Sequence, residues 1–407
     1  MTARQPRPVP AVDLAAHHDV VYFPLGAAAF GGAERSILEL AAAQQGAGKR
    51  VLVCYERALA GTDFPAQAAT MGLPLVSVDW APEQPLAQVA RSVWRLLRQL
   101  DADVIHFNIS WRRRMWCVPL IARLASRAKL VGTMRAMPEP LSDLPRRRHF
   151  GFIPGLRLWA WPDFIVGRAW AHALHATVSV NRDNYPPRLV RAFGFPRSRL
   201  SVIYNGVHMP VALPTAQDRV AARSGFALDP HAFIVAFVGR VSPEKGLRYL
   251  IDAVAQCAAP VQLVVAGDGS DLEPMRQRVE SQNRGGRVRF LGYVSPAAAV
   301  FTAADVIVVP SLSSEAFGRV VVEAMACGAV VVASAVGGMQ EIFEHRRQGL
   351  LVPKADTGAI ARALDELAAD SAWLGKLAQA AFAHARHTFS TERVCSQYSA
   401  LYADLVG

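Results

Sequence analysis

Residues 306–326 read VIVVPSLSSEAFGRVVVEAMA, and the fold can be read outward from them. Val306–Pro310 is a short β-branched run, a strand buried on both faces. A loop follows that ends at Glu315, and the helix it opens carries Glu323. The same strand-then-helix rhythm recurs upstream at Ile234–Gly239, Val261–Gly267 and Val288–Leu291, and downstream at Val330–Ser334 and Leu350–Val352. It also fills the first half of the chain, at Val20–Leu25, Val51–Tyr55, Leu73–Val78, Val104–Asn108, Leu130–Met134 and Thr177–Val180. Apolar strands flanked by helices make parallel sheets, so the pattern predicts two doubly wound α/β units. The break between them is expected after Val202–Tyr204, at the turn dipeptide Asn205-Gly206, with Pro210–Pro214 as linker. At the far end, Phe389, Val394, Tyr398, Leu401, Tyr402 and Leu405 have helical spacing. On periodicity alone this tail is either the last helix of the second unit or one that returns to the first.

Composition agrees with two folded domains. The chain has 407 residues, of which 52% are hydrophobic and 19% charged, far too apolar for disorder. Its 44 basic side chains include only five lysines, and the net charge is +11. All of the excess lies in residues 1–205, with 26 basic against 14 acidic groups, while residues 206–407 are near neutral. Residues 91–199 hold 20 of the basic groups and six of the eight tryptophans. The five cysteines are odd in number, widely spaced and free of CxxC pairs, which argues against a disulfide framework or a zinc module and fits a reducing cytoplasm. No apolar run is long enough to span a bilayer, and the proline-bearing N-terminus reads as a floppy leader, not a signal peptide.

Several motifs fall at the carboxyl ends of strands, where ligands bind in such folds. Gly31-Gly32 precedes a helix, and two glycines at such a turn let backbone N–H groups approach a phosphate. In the second half, Arg240 follows Gly239 and Lys245 stands five residues on, a pair suited to a diphosphate or simply to solvent. Gly267-Asp268-Gly269 makes another turn at the same edge. Glu315 and Glu323 would accept hydrogen bonds from sugar or ribose hydroxyls, and N–H groups near Gly318–Val320 would face phosphate.

Taken jointly, these residues resemble the retaining glycosyltransferases of family 4. The shared features are the GG-A-E turn, the I-x-N-G-V junction at Ile203–Val207, V-G-R…E-K-G, G-D-G, Phe290–Val294, Ala304–Ser311 and the E-x7-E pair Glu315/Glu323. The resemblance implies a GT-B fold: two Rossmann-like domains facing across a cleft, with the last helix crossing back to the first. On that reading residues 1–205 receive the acceptor, 206–387 bind the nucleotide sugar and 388–407 form the returning helix. It also implies roles. Arg240 and Lys245 would grip the donor diphosphate, Glu315 would face the donor sugar, and Glu323 would bind ribose. Backbone at Phe317, Gly318, Arg319 and Val320 would lie nearby, that around Phe290 and Tyr293 would border the base, and Gly32 would lie under the phosphates. No metal or cofactor is implied beyond the nucleotide diphosphate sugar itself. Three positions depart from the family pattern: Arg135 stands where a histidine is common, His106-Phe107-Asn108 replaces H-x-H, and His208 replaces an acidic residue. His106 then reads as a structural histidine, and Arg135 as a further charge for the diphosphate.

The expected activity is transfer of a sugar to an acceptor hydroxyl, with a lipid-linked saccharide of envelope or exopolysaccharide assembly as the first acceptor class and a soluble small molecule as the alternative. A related epimerase and an inactive scaffold are weaker readings. The arginine- and tryptophan-rich stretch could mark nucleic-acid binding, yet no nucleic-acid module is recognisable. Arg112–Arg114 with Trp111 and Trp116, and Arg146–Arg148 with Phe150, Phe152, Trp159 and Trp161, better suit an anionic membrane surface. The chain is therefore expected in the cytoplasm, peripheral on the inner face of the membrane.

Overall fold

The computed structural model describes residues 12–25, 30–79, 84–110, 117–136, 161–281 and 286–407. The chain divides into two compact units, one of Met1–Gly206 with Val394–Gly407 and the other of Val207–Arg393. The first holds a parallel sheet of β1 (His17–Leu25), β2 (Val51–Glu56), β3 (Leu75–Val78), β4 (Asp101–Ser110), β5 (Lys129–Ala136), β6 (Ala176–Ser179) and β7 (Leu200–Val202). Their order is β3-β2-β1-β4-β5-β6-β7, so the direction of winding reverses between β1 and β4. β7 is a strand that periodicity did not reveal: Leu200–Val202 is three residues long, half-buried at the sheet edge, and too short to show a pattern.

The second unit repeats the design with β8 (Phe233–Val238), β9 (Val261–Ala266), β10 (Val288–Gly292), β11 (Val306–Val309), β12 (Val330–Ser334) and β13 (Leu350–Val352). The order β10-β9-β8-β11-β12-β13 places its reversal between β8 and β11. Every side chain of β11 and β12 is buried, as continuous Val/Ile runs require when helices cover both faces.

The C-terminal tail is two helices, Ser371–Phe389 and Thr391–Val406, broken at Ser390. Phe389 packs edge-on against Phe317 and His384 of the second unit, so the return to the first unit begins at Val394 and not at Thr388. From there Val394, Cys395, Tyr398 and Tyr402 join Val20, Tyr22, Val104, Val131 and Val178 in the core of the first unit. The two chain crossings run side by side, the Val207 N–H donating to the Phe389 carbonyl at 2.8 Å and the Thr391 N–H to the Val207 carbonyl at 3.2 Å. The five cysteines are free, and four of them are buried. No helix among the described residues is long and apolar enough to cross a membrane.

Candidate active site

In the second unit the loops after β8 and β11 meet at the reversal point, the position where open α/β sheets bind ligands. Their approach is backbone to backbone. Gly246 has φ +72°, and a Cβ there would stand 2.1 Å from the Pro310 carbonyl oxygen. The Leu312 N–H donates to the Glu244 carbonyl at 2.8 Å and the Gly338 N–H to the Glu315 carbonyl at 2.8 Å, which ties the two loops to each other and to the turn after β12. This scaffold holds Lys245 against Glu315, Nζ to Oε1 at 2.8 Å, and the Ser311 hydroxyl donates to the same carboxylate oxygen.

Two further pairs border this one. Arg240, largely in solvent, lies 3.4 Å from Glu244. The Ser242 hydroxyl donates to Glu244 at 2.7 Å and holds its carboxyl below the usual range, helped by the charges of Arg240 and Lys245. Arg319 donates through Nε to Glu323 at 2.7 Å across one turn of the helix Arg319–Ala326 that Gly318 opens. The structure thus gathers Arg240, Lys245, Glu315, Gly318, Arg319 and Glu323 on loops and a helix end at one sheet edge. Val320 lies half-buried in the first turn of that helix, while the Phe317 ring is turned into the core. Phe290, half-buried on β10, stacks under the Arg276 guanidinium at 4.8 Å, and Tyr293 is exposed. Sequence reasoning missed Ser242, Glu244, Ser311 and the guanidinium of Arg319. The missed signal was the acidic and hydroxyl neighbours of each expected cation.

The first unit has its own cluster at the β1/β4 reversal. Gly31-Gly32 opens the helix Gly32–Gly46, and Glu34 reaches back to accept from the Gly31 N–H at 3.0 Å, so one of the expected phosphate-facing N–H groups is already engaged. Gly32 is exposed beside it. Asn108, at the end of β4, donates to the Ala33 carbonyl at 3.3 Å and accepts from Nε of Arg135. Arg135 is buried, and the register of β5 on β4 skips at this point, Met134 facing Ile109 while Ala136 faces Ser110. The extra residue is Arg135, a bulge that re-aims its side chain.

Beneath this cluster lies His106, fully buried. Its Nδ1 is 2.6 Å from the Tyr402 hydroxyl and its Nε2 2.7 Å from Thr133 Oγ1, which in turn lies 2.9 Å from the Tyr398 hydroxyl. Burial, reinforced by the Arg135 charge, pushes its pKa down to about 3, so the imidazole is neutral. His106 is a structural histidine that joins β4 and β5 to the C-terminal helix. His208 is an exposed side chain beside the crossing at Val207. Of the tryptophans in residues 91–199, Trp170 is core and Trp94 exposed, whereas residues 111–116 and 137–160, with both arginine triplets, lie outside the described residues.

Two parallel, doubly wound units, each with a ligand edge at its reversal point and with the last helix in the core of the first, define a GT-B protein. The chain belongs to family 4 of the glycosyltransferases: the Glycosyltransferase Family 4 model matches residues 30–209 and the Glycosyl transferases group 1 model residues 218–386. It is 36% identical over 236 residues to the D-inositol 3-phosphate glycosyltransferase of Mycobacterium marinum, covering 56% of this chain and 50% of that protein. The protein of the same name from Rhodococcus opacus is 29% identical over 369 residues, 83% of this chain and 78% of the relative. The chain thus spans about half the length of the first curated relatives it matches. Among solved structures, Anabaena HepE in complex with UDP and glucose superposes with a TM-score of 0.77 at 24% identity, covering 95% of this chain and all of that one. Sucrose-phosphate synthase from Thermosynechococcus elongatus gives 0.74 at 22%, covering 95% and 99%.

Proposed function

We propose that the chain transfers a sugar from a nucleotide diphosphate sugar to an acceptor hydroxyl, with retention at the anomeric carbon and without a metal ion. The observation that carries this reading is the Lys245–Glu315 pair, fixed at the reversal point of the second sheet by Ser311 and by the close approach of Gly246 to Pro310. On donor binding, phosphate oxygens take the Lys245 ammonium in place of Glu315, and the released carboxylate accepts hydrogen bonds from the sugar hydroxyls. Arg240 supplies a second cation to the diphosphate, Glu323 binds ribose, and backbone near Phe290 and Tyr293 borders the base. Backbone from Phe317 to Val320 completes the donor site.

The acceptor hydroxyl oxygen then bonds to the anomeric carbon as the bond from that carbon to the phosphate oxygen breaks. Its proton passes to the departing phosphate oxygen on the same face. Catalysis on this reading is positioning plus stabilisation of the charge that builds on the diphosphate, which Lys245 and Arg240 meet without a metal. Arg135 and the Gly32 turn serve the first unit's side of the reaction.

For the acceptor, the charge excess of the first half supports a lipid-linked saccharide taken at an anionic membrane, with the enzyme peripheral on its cytoplasmic face. A second reading, a soluble phosphorylated polyol, is favoured by the name of the curated relatives and by the buried guanidinium of Arg135. The test begins with thermal unfolding against UDP, GDP, ADP and dTDP sugars. A donor at a hundred times its Kd adds about 2.7 kcal/mol of stability. Release of the nucleoside diphosphate is then followed with a membrane lipid extract and with inositol phosphate as acceptors. No thermal shift with any donor, together with no diphosphate release, would overturn the reading.

A further inference from the structure

We infer that Arg319 is a positioning residue whose guanidinium fixes the Glu323 carboxylate and so makes the donor site select a ribonucleotide over a deoxyribonucleotide. The inference deepens the donor part of the proposed function and rests on it. The helix that carries both residues, Arg319–Ala326, has a fixed start. Gly318 caps it at φ +81°, and a Cβ there would stand 2.7 Å from Met339 Cγ, so the close packing of this turn holds Arg319 as the first helical residue. From that position its Nε donates to Glu323 Oε1 at 2.7 Å.

Helix stability does not account for this pair. The positive end of a helix dipole repels a cation and the negative end a carboxylate, yet Arg319 stands in the first turn and Glu323 in the last. Arginine four residues before glutamate is also the weaker order for an ion pair along a helix. Both side chains are largely desolvated as well, Arg319 at 11% exposure and Glu323 at 18%. A pair that breaks local rules at the ligand edge of a sheet is what a functional constraint produces. Exposure also separates Arg319 from the two cations assigned to the diphosphate. Lys245 and Arg240 are 27% and 70% exposed and can change partner when a ligand arrives, whereas Arg319, the most buried of the three, keeps its carboxylate.

The effect on binding follows from the chemistry of the carboxylate. It offers only acceptors, and the vicinal hydroxyls of ribose are two donors at a fixed spacing. With Oε1 held by Nε, the carboxylate plane is set before the ligand comes, and its second oxygen is oriented without further loss of side-chain freedom. A nucleotide that lacks one hydroxyl leaves this acceptor short of a donor, and a site built to bond a hydroxyl discriminates against its absence. Without Arg319 the carboxylate can turn among rotamers, and the second hydroxyl no longer meets a prepared partner.

Calorimetric titration with UDP, GDP and ADP, and then with the 2′-deoxy and 3′-deoxy forms of whichever binds most tightly, tests the assignment. Wild type should bind the ribonucleotide on the order of tenfold more tightly than at least one deoxy form, the value of a hydrogen bond to a charged group. Arg319→Met, which keeps an unbranched stem and a good helix former, should bring that ratio close to one by weakening the ribonucleotide while leaving the deoxy form as it was. Arg319→Ala gives the same reading should Met disturb the helix, since a ratio within one protein cancels any general loss of stability. Adding Arg319→Met to Glu323→Ala should change the ratio no further. The inference is overturned if wild type binds the ribose and deoxyribose forms alike, if the ratio survives in both Arg319 variants, if these variants weaken all the nucleotides equally, as loss of a cation from the diphosphate would, or if the double variant falls below Glu323→Ala. Binding of no nucleotide at all would overturn the transfer reading and this inference with it, whereas tight binding with an unmoved ratio overturns this inference alone.

Discussion

Lys245 and Arg240 carry the same charge in different settings, one clamped against a carboxylate that a serine hydroxyl also holds, the other largely in solvent. Lys245→Ala should therefore lower turnover more than Arg240→Ala does. The loss from Lys245→Ala should be on the order of 2–4 kcal/mol of transition-state stabilisation, measured as kcat/KM with the fold checked by circular dichroism. Wild-type rates in both variants would remove the pair from the chemistry. A second residue-scale prediction concerns His106. Its folded pKa lies far below the ordinary 6.5, so between about pH 6.5 and about 3 the unfolded chain binds a proton that the folded chain does not. The stability due to neutral His106 is fully present above pH 6.5 and is lost as pH falls through that window, by about 1.4 kcal/mol per pH unit. Comparing wild type with His106→Gln by denaturant unfolding at pH 7 and pH 5 isolates this slope, since the carboxylates cancel in the difference. Equal slopes would show that the imidazole is not held neutral. Sequence alone reached Lys245, Glu315 and His106 as positions. It did not reach the partners of Glu315 and His106, because Ser311 comes to Glu315 only through the fold of its loop and Tyr402 to His106 only through a helix nearly three hundred residues away.

Among the elements, the loops after β8 and β11 depend on one another. Gly246→Ala would place a methyl group where the Pro310 carbonyl lies and force a left-handed residue to carry a side chain, a strain of about 1–3 kcal/mol before any movement of the loop. Calorimetry should show a Tm lower by about 2–4 °C for each kcal/mol lost, and donor affinity should fall as Lys245 shifts. Unchanged Tm and affinity would mean that the loops tolerate separation. Strands with continuous apolar runs, such as Val330–Ser334, were plain in the sequence because burial on both faces leaves no room for polar residues. The edge strand Leu200–Val202 was not, and neither was the bulge at Arg135, since a one-residue skip in register belongs to the pairing of two strands and not to either one. The break at Ser390 was hidden for a related reason: apolar spacing continues through it, and only the packing of Phe389 fixes where the first helix stops.

At the scale of the molecule, the first unit is assembled from two distant stretches of chain. Removing Val394–Gly407 takes Tyr398 and Tyr402 from its core and leaves His106 and Thr133 without their tyrosine partners, bonded only to each other. Such a deletion should abolish cooperative unfolding of the first unit, read by hydrogen exchange in β1, β4 and β5, while the second unit still gains thermal stability from a nucleotide sugar. Native-like protection in those strands would show the helix to be an accessory. The two-unit plan was legible from strand rhythm, and the helix's allegiance was not, because its spacing suits either core and only the aromatic and hydroxyl chemistry of β1, β4 and β5 selects one. This topology also sets the order of manufacture. During synthesis all of Val207–Arg393 is made before Val394, so the first unit cannot finish folding until the whole second unit has been made. Its unfilled core around Tyr22 and His106 must wait, open to chaperones and proteases, until the helix made after the entire second unit arrives to close it.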